Sequence, residues 1–229
     1  MKAAAFDYVQ ARSIAEAVAA LAAGDARVLA GGQSLGPMLN LRLARPGRLV
    51  DVKRAAGLRE VAADDAVVSL GAGWTHAEIE DGTVEDPTRG LLRQVAHGIA
   101  YRAVRNRGTL GGSLAHADPA ADWVSTIVAL GGAVVAEGPG GRRRIAAEGF
   151  IRGAFATALG PQELLVAVEV PRLGPGARWG YHKLCRKTGE FAKAIGVAVL
   201  DPRTGFARVL AGAVEGPPVL LADAAAPAS

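Results

Sequence analysis

The chain has 229 residues, half of them hydrophobic, enough to bury a sizeable core in one or two domains, and no apolar run approaches the roughly 20 residues of a membrane helix. Its net charge of +4 comes mainly from arginine, but aromatic residues make up only 5%, so the basic and aromatic interleaving of a nucleic-acid surface is missing. The only cysteine, Cys185, excludes a disulfide, a zinc–thiolate site or an iron–sulfur cluster built from this chain alone.

From the N-terminus, MKAAAFDYVQ meets Asp7 and Gln10 before any long apolar region, so no secretory signal is read and a cytoplasmic location is expected. Phe6 to Val9 reads as a first strand. Ser13-Ile14-Ala15-Glu16 has the capping-box pattern, opening an alanine-rich helix that Gly24 ends. Arg27 to Ala30 reads as a short buried strand, followed by AGGQSLGPMLNLRL from Ala30 to Leu43. That stretch joins a glycine pair, Gly31-Gly32, to the hydroxyl of Ser34 and a helix-like run with Leu35, Met38, Leu39 and Leu43 on one face. Pro46-Gly47 breaks this helix, and Arg48 to Val52 reads as a strand that completes a small βαβ-like lobe.

Leu58 to Ala63 and Ala66 to Leu70 alternate around Asp64-Asp65 as a hairpin would. Gly71-Ala72-Gly73 leads to Thr75, a helix cap with Glu78 at the third helical position, and Pro87 to Ala96 reads as helical. Ile99 to Arg107 then runs into RNRGTLGGSLAHADPAAD, Arg105 to Asp122. Here Gly111-Gly112 lets the backbone turn sharply and approach a ligand, with the hydroxyls of Thr109 and Ser113 on either side. Asp118-Pro119 reads as a helix start, aspartate at the cap and proline at the first position, ahead of the apolar run Trp123 to Leu130. A glycine turn running toward a helix start suits a phosphate; a plain tight turn reads these residues equally well.

Ala133 to Ala136 and Arg142 to Ile145 flank a further turn, and Glu163 to Val170 is a strong strand closed by Pro171. Beyond a Gly/Pro linker from Gly174 to Ala177, Trp179 to Arg186, Ala194 to Leu200 and Phe206 to Ala213 read as strands of another sheet. The tail from Ala222 reads as frayed. The arginine clusters, Arg102, Arg105 and Arg107 and the run Arg142 to Arg144, read as a solvated face, a subunit interface or a contact for an anionic cofactor. His76, His97, His116 and His182 are scattered without a metal-ligand spacing, and no metal site is expected; His116 lies inside the second glycine stretch, at the edge of its ligand. Neither glycine stretch is followed by a Walker lysine or has the G-x-G-x-x-G form, which removes a P-loop or dinucleotide-fold reading.

Two strand–Gly-Gly–helix stretches can hold the two ends of one long phosphate-containing ligand. The pair resembles the two flavin-binding signatures of the FAD-binding subunits of molybdenum hydroxylases of the carbon monoxide dehydrogenase and xanthine dehydrogenase type. The resemblance runs from about Phe6 to Leu200. It implies an α+β fold: a two-lobed FAD-binding domain of the PCMH/molybdopterin-dehydrogenase type over residues 1–173, with lobes of about 1–53 and 54–173. A shortened C-terminal sheet domain would follow over residues 177–229.

By position, the resemblance gives the first motif as Ala30, Gly31, Gly32, Gln33, Ser34 and Leu35, whose N–H groups and hydroxyl would reach the FAD diphosphate. The second motif is Thr109, Gly112, Ser113, Asp118 and Asp122. An ionised carboxylate only accepts hydrogen bonds, so Asp122 suits a sugar hydroxyl; a helix-surface aspartate is the alternative. Ile99, Ala100 and Leu165 would wall the ligand or simply pack in the core. Lys183 would stand beside the isoalloxazine, or in solvent. The implied function is an FAD-containing electron-transfer oxidoreductase subunit of such a complex, with no catalytic acid or base of its own. Its partners would be a large subunit with the molybdenum cofactor and a small [2Fe–2S] subunit, in a heterotrimer or a dimer of heterotrimers, and an external electron acceptor. A stand-alone flavin-dependent oxidase or reductase and a flavin-free scaffold subunit are the competing readings.

Overall fold

The computed structural model describes residues 2–224. Its first lobe is a three-stranded parallel sheet. In chain order it runs β1 (Asp7–Gln10), helix α1 (Ile14–Ala22), β2 (Ala26–Leu29), α2 (Leu35–Asn40) and β3 (Arg48–Asp51), with β3 in the centre. Parallel strands need a crossover rather than a tight turn, and each connection here carries a helix. Helix α1 buries Ile14, Ala17 and Leu21, one stripe at helical spacing, and Ser13 caps it by accepting the Glu16 N–H at 3.1 Å. The reciprocal half of the expected box is displaced by one residue, since the Glu16 carboxylate accepts from the N–H of Arg12. The expected apolar face of α2 holds only in part. Leu39 is buried, but the helix ends before Leu43, which is 71% exposed; the chain leaves through Arg42 at φ +58.

The second lobe is built on a five-stranded antiparallel sheet. It starts with the hairpin β4 (Val61–Ala63) and β5 (Val67–Gly71), then adds helices α3 (His76–Glu80), α4 (Leu91–Gly98), α5 (Arg102–Arg105), α6 (Leu110–His116) and α7 (Asp122–Ala129). The hairpin β6 (Ala133–Gly138) and β7 (Gly141–Ala146), the turn of helix α8 (Ala147–Phe150) and a ribbon of β8 (Ile151–Gly153) and β9 (Ala156–Thr157) follow. Strand β10 (Leu164–Pro171) then inserts between β5 and β6, so the sheet order is β4-β5-β10-β6-β7. Its near-continuous apolar run suits that central position, with Leu164, Leu165, Val166, Val168 and Val170 all buried.

Two helix starts differ from expectation. Pro87 to Ala96 was read as one helix, but α4 begins at Leu91, because Arg89 and Gly90 both have positive φ. Asp118-Pro119 does not open α7, which starts at Asp122. The Asp118 carboxylate instead accepts the N–H of Ala120 at 2.9 Å, closing a local turn. The glycine pair itself lies inside the first turn of α6 rather than in a loop.

The remaining strands, β11 (Arg178–Leu184), β12 (Ala194–Asp201), β13 (Phe206–Gly212) and β14 (Val219–Ala224), form an antiparallel meander. Ile195, Val197 and Val199 alternate inward from β12, and α7, buried along its whole length, packs against β12 and β13 on one side and α4 and α6 on the other. Strand β14 was not read from the sequence. It takes Ala222 to Ala224 from the tail expected to fray; residues 225–229 lie outside the described residues. The run Arg142 to Arg144 lies exposed on the edge strand β7, and each arginine pairs with a carboxylate, Glu137, Glu163 and Glu169 in turn. Among the described residues no helix is long and apolar enough to cross a membrane.

Candidate functional site: a cleft where two glycine motifs meet

The two glycine stretches lie against each other between the lobes. A Cβ at Gly31 would fall inside the Arg107 carbonyl group, 2.6 Å from its carbon, and 2.8 Å from Cα of Gly108. Only glycine permits that approach. The second stretch is anchored from behind. Residues 74–76 bridge residues 108–110: the His76 N–H donates to Gly108 O at 2.9 Å and the Leu110 N–H to Trp74 O at 2.9 Å. Gly111 sits directly on Ala72, donating to its carbonyl at 3.0 Å. Thr109 caps α6 by accepting the Gly112 N–H at 3.0 Å. Thr75 and Glu78 make a complete capping box on α3, and the same Glu78 carboxylate binds the Arg59 guanidinium, which lies 4.6 Å above the Trp74 ring.

The cleft this joint creates has a polar part of about 270 Å³ lined by Ala30, Gly31, Lys53, Arg59, Asn106, Arg107 and Thr109, among others. It continues into a narrow apolar part of about 70 Å³, where Gly112, Leu164 and Leu165 meet Val28, Ala30 and Leu58. The N–H groups of Gly31, Gly32, Gln33, Ser34 and Leu35 find no acceptor among the described residues. Gly32 is at φ +70, and the stretch is half-buried to exposed, so these donors are left to solvent or a ligand. Consecutive free N–H groups in a turn, beside two arginines and a lysine, fit the oxygens of a diphosphate. The apolar continuation fits an uncharged portion of the same ligand.

A second cluster gathers other expected residues. The Arg105 guanidinium, buried under α5, donates to Ile99 O and Ala100 O at 3.0 Å each and pairs with Glu80. It holds Ala100 at φ +43, a conformation rare for alanine. Burial tends to raise the Glu80 carboxyl, but Arg105, His97 and Arg102 around it outweigh this and keep it below the usual range. Lys183 and Asp122 do not stand free. They form a buried ion pair at 3.0 Å, Lys183 also donates to Gly98 O at 3.3 Å, and the Tyr181 hydroxyl donates to the same carboxylate. Burial first, and then Asp122, raises the Tyr181 hydroxyl well above its ordinary value, so it stays a donor. The readings of Asp122 as a surface aspartate and of Lys183 as a solvated lysine are both corrected: each side chain is less than a tenth exposed.

The structure therefore brings Ala30, Gly31, Thr109, Gly112 and Leu165 to one cleft and Ile99, Ala100, Asp122 and Lys183 to the neighbouring cluster. Gln33 folds back, donating from its amide to Gly31 O at 3.0 Å; Ser34 is exposed and Leu35 half-buried at the head of α2. Ser113 is half-buried on α6, and Asp118 is spent on its own turn. His116 is half-buried against the Phe155 ring, 5.1 Å away, outside both parts of the cleft. Sequence reasoning missed Lys53, Arg59 and Asn106 in the cleft lining, and gave Arg107 only as one of a cluster that suits an anionic cofactor. The signal for Asn106 and Arg107 was the RNR run directly before Gly108; Lys53 and Arg59 arrive only through the fold.

A family profile described as the FAD binding domain in molybdopterin dehydrogenase matches residues 4–173. The medium chain of carbon monoxide dehydrogenase from Hydrogenophaga pseudoflava is 40% identical over 202 residues, covering 87% of this chain and 70% of its own length. The 6-hydroxypseudooxynicotine dehydrogenase complex subunit alpha from Paenarthrobacter nicotinovorans is 38% identical, covering 88% and 69% respectively. Among solved structures, a chain of quinoline 2-oxidoreductase from Pseudomonas putida 86 superposes with a TM-score of 0.89 at 38% identity, covering 96% of this chain and 78% of that one.

Proposed function

The chain belongs to the family of the FAD binding domain in molybdopterin dehydrogenases, and on that premise we propose that it is the FAD-carrying electron-transfer subunit of a molybdenum hydroxylase complex. Residues 1–173 are its FAD-binding domain and the sheet from residue 177 onward a C-terminal domain. The observation that carries the assignment is the joint between Gly31 and Arg107–Gly108 at the wall of the cleft, where Gly31 begins a run of five N–H groups with no acceptor among the described residues.

When bound, FAD supplies the redox chemistry, taking up and giving back electrons; the protein supplies position and electrostatics. The N–H groups of Gly31 to Leu35 and the Ser34 hydroxyl would hold the diphosphate, with Arg107 adding opposite charge; Arg59 and Lys53 line the same cleft as donors already paired with Glu78 and Asp51. Thr109, Gly112 and Ser113 complete the second wall, and Leu165 closes the apolar side. Asp118 belongs to this motif through the turn it closes. Ile99 and Ala100, held from behind by Arg105, wall the flavin end. Lys183 would stand near the ring, and because Asp122 balances its charge it would contribute a directed donor more than a net positive field. No group here needs to move a proton on an organic substrate.

Electrons arrive from the [2Fe–2S] clusters of a small partner subunit, fed in turn by a large subunit with the molybdenum cofactor, and leave to an external acceptor in the cytoplasm. The family membership and the likeness to chains of such dehydrogenases support this division of labour. Its test is an assay of the purified, FAD-loaded chain with a chemical reductant and an artificial dye, then with aldehydes, N-heterocycles and carbon monoxide. Dye reduction driven by the chemical reductant alone is expected. Sustained oxidation of an organic compound by the lone chain would replace this reading with an independent flavoenzyme.

A further inference from the structure

One buried histidine lies beneath the joint of the two motifs. His76 opens α3 and is 5% exposed; its Nδ1 accepts a hydrogen bond from the indole N–H of fully buried Trp123 at 3.0 Å. That bond fixes the neutral tautomer, with the ring proton on Nε2. Nε2 faces the second motif: a Cβ at Gly108 would lie 2.7 Å from it. The imidazole is thus the floor on which the Arg107–Gly108 peptide rests, and that peptide is the surface against which Gly31 packs. Gly31 is the first of the five unpaired N–H donors. One hydrogen bond and two approaches that only glycine permits thus join Trp123, His76, Gly108 and Gly31 in series.

Burial explains why a histidine and not an apolar residue stands here. The Trp123 N–H has no water to turn to, and without an acceptor it would be left unsatisfied. Trp123 also follows Asp122 on the first turn of α7, so the helix that receives Lys183 from the C-terminal sheet is the one that fixes His76.

We propose that His76, locked by Trp123, is a positioning residue for cofactor phosphate: it sets the spacing between the two glycine motifs and so aligns the donors of Gly31 to Leu35. The inference rests on the proposed FAD site but concerns residues that touch no ligand themselves.

The test compares His76→Leu, which removes the acceptor, His76→Asn, which places an amide oxygen near the position of Nδ1, and Trp123→Phe, which removes the donor while keeping a ring. FAD, ADP and riboflavin are titrated into each folded variant. ADP carries the diphosphate without the flavin ring, and riboflavin the ring without the diphosphate. Expected for His76→Leu and Trp123→Phe is a loss of about tenfold in affinity for FAD and for ADP, the size of one misaligned hydrogen bond, with riboflavin binding unchanged. His76→Asn restores most of the loss. Should His76→Leu fail to fold, Trp123→Phe and His76→Asn still separate the outcomes. FAD and ADP affinities unchanged in Trp123→Phe, or an equal loss for riboflavin, would overturn the proposal and leave His76 as core packing. A wild-type chain that binds no FAD would instead overturn the functional reading beneath it.

Discussion

Gly31 and Arg107, one from each lobe, are in direct backbone contact, and the contact leaves no room for a side chain on Gly31. Replacing Gly31 with alanine must push the motifs apart. Overpacking of this kind costs about 1–3 kcal/mol. We expect Gly31→Ala to lose that stability and to weaken FAD binding by at least about tenfold, the change a loss of about 1.4 kcal/mol makes. Gly36, five residues on and inside α2, has nothing within 4 Å of a would-be Cβ. Gly36→Ala is the control: unchanged FAD affinity and up to about 1 kcal/mol of added helix stability in urea unfolding.

The Asp122–Lys183 pair ties α7 to β11 in a buried setting. Removing one partner of such a pair leaves an uncompensated charge and costs about 3–5 kcal/mol, while removing both costs less. Asp122→Asn and Lys183→Met should each destabilise strongly, and the double variant should recover part of the loss. Denaturant unfolding of all four proteins measures this. Additive losses would mean the two side chains do not depend on each other in the folded chain.

His76 gives the protein a defined acid sensitivity. Burial first, and Arg105 second, lower its pKa from the 6.5 of a free imidazole to about 4. Between those values the unfolded chain binds a proton that the folded chain does not, so stability falls as pH drops from 6.5 toward 4. The full span is worth roughly 3 kcal/mol. His116, lowered chiefly by its own burial, acts in the same direction. The carboxylates of Glu78, Glu80 and Glu163, held low in the fold, add their own loss below the usual carboxylate range. Melting temperature measured from pH 7 to pH 4.5 should therefore fall, and His76→Asn should flatten the fall. A slope unchanged by that substitution would show that His76 does not titrate as its burial requires.

The parts of the fold carried by strong local patterns were readable in advance. Strand β10 announced itself through ELLVAVEV, α1 through Ser13 and Gly24, and the capping box of α3 through Thr75 and Glu78. Both glycine motifs were found, but not that they touch: the contact of Gly31 with Arg107 joins residues from different lobes, and no local periodicity records it. For the same reason Asp122 and Lys183 were seen as separate ligand contacts rather than as each other's partner. Strand β14 was hidden by an alanine-rich, proline-preceded segment whose pairing with β13 supplies the order its sequence lacks. The start of α7 was misplaced because Asp118-Pro119 has the residues of a cap but uses them in a turn.

FAD is the proposed occupant of the cleft between the lobes, and the identity of the bound flavin tests this most directly. The purified chain is incubated with equal FAD and FMN, freed of excess, denatured, and the released flavin separated by chromatography. The unpaired donors of Gly31 to Leu35, Arg107 in the lining and the apolar continuation past Gly112 suit a ligand with a diphosphate and two ends. The expected result is one FAD per chain, not displaced by FMN. FMN as the bound species, or a well-folded chain that takes up no flavin, would contradict it.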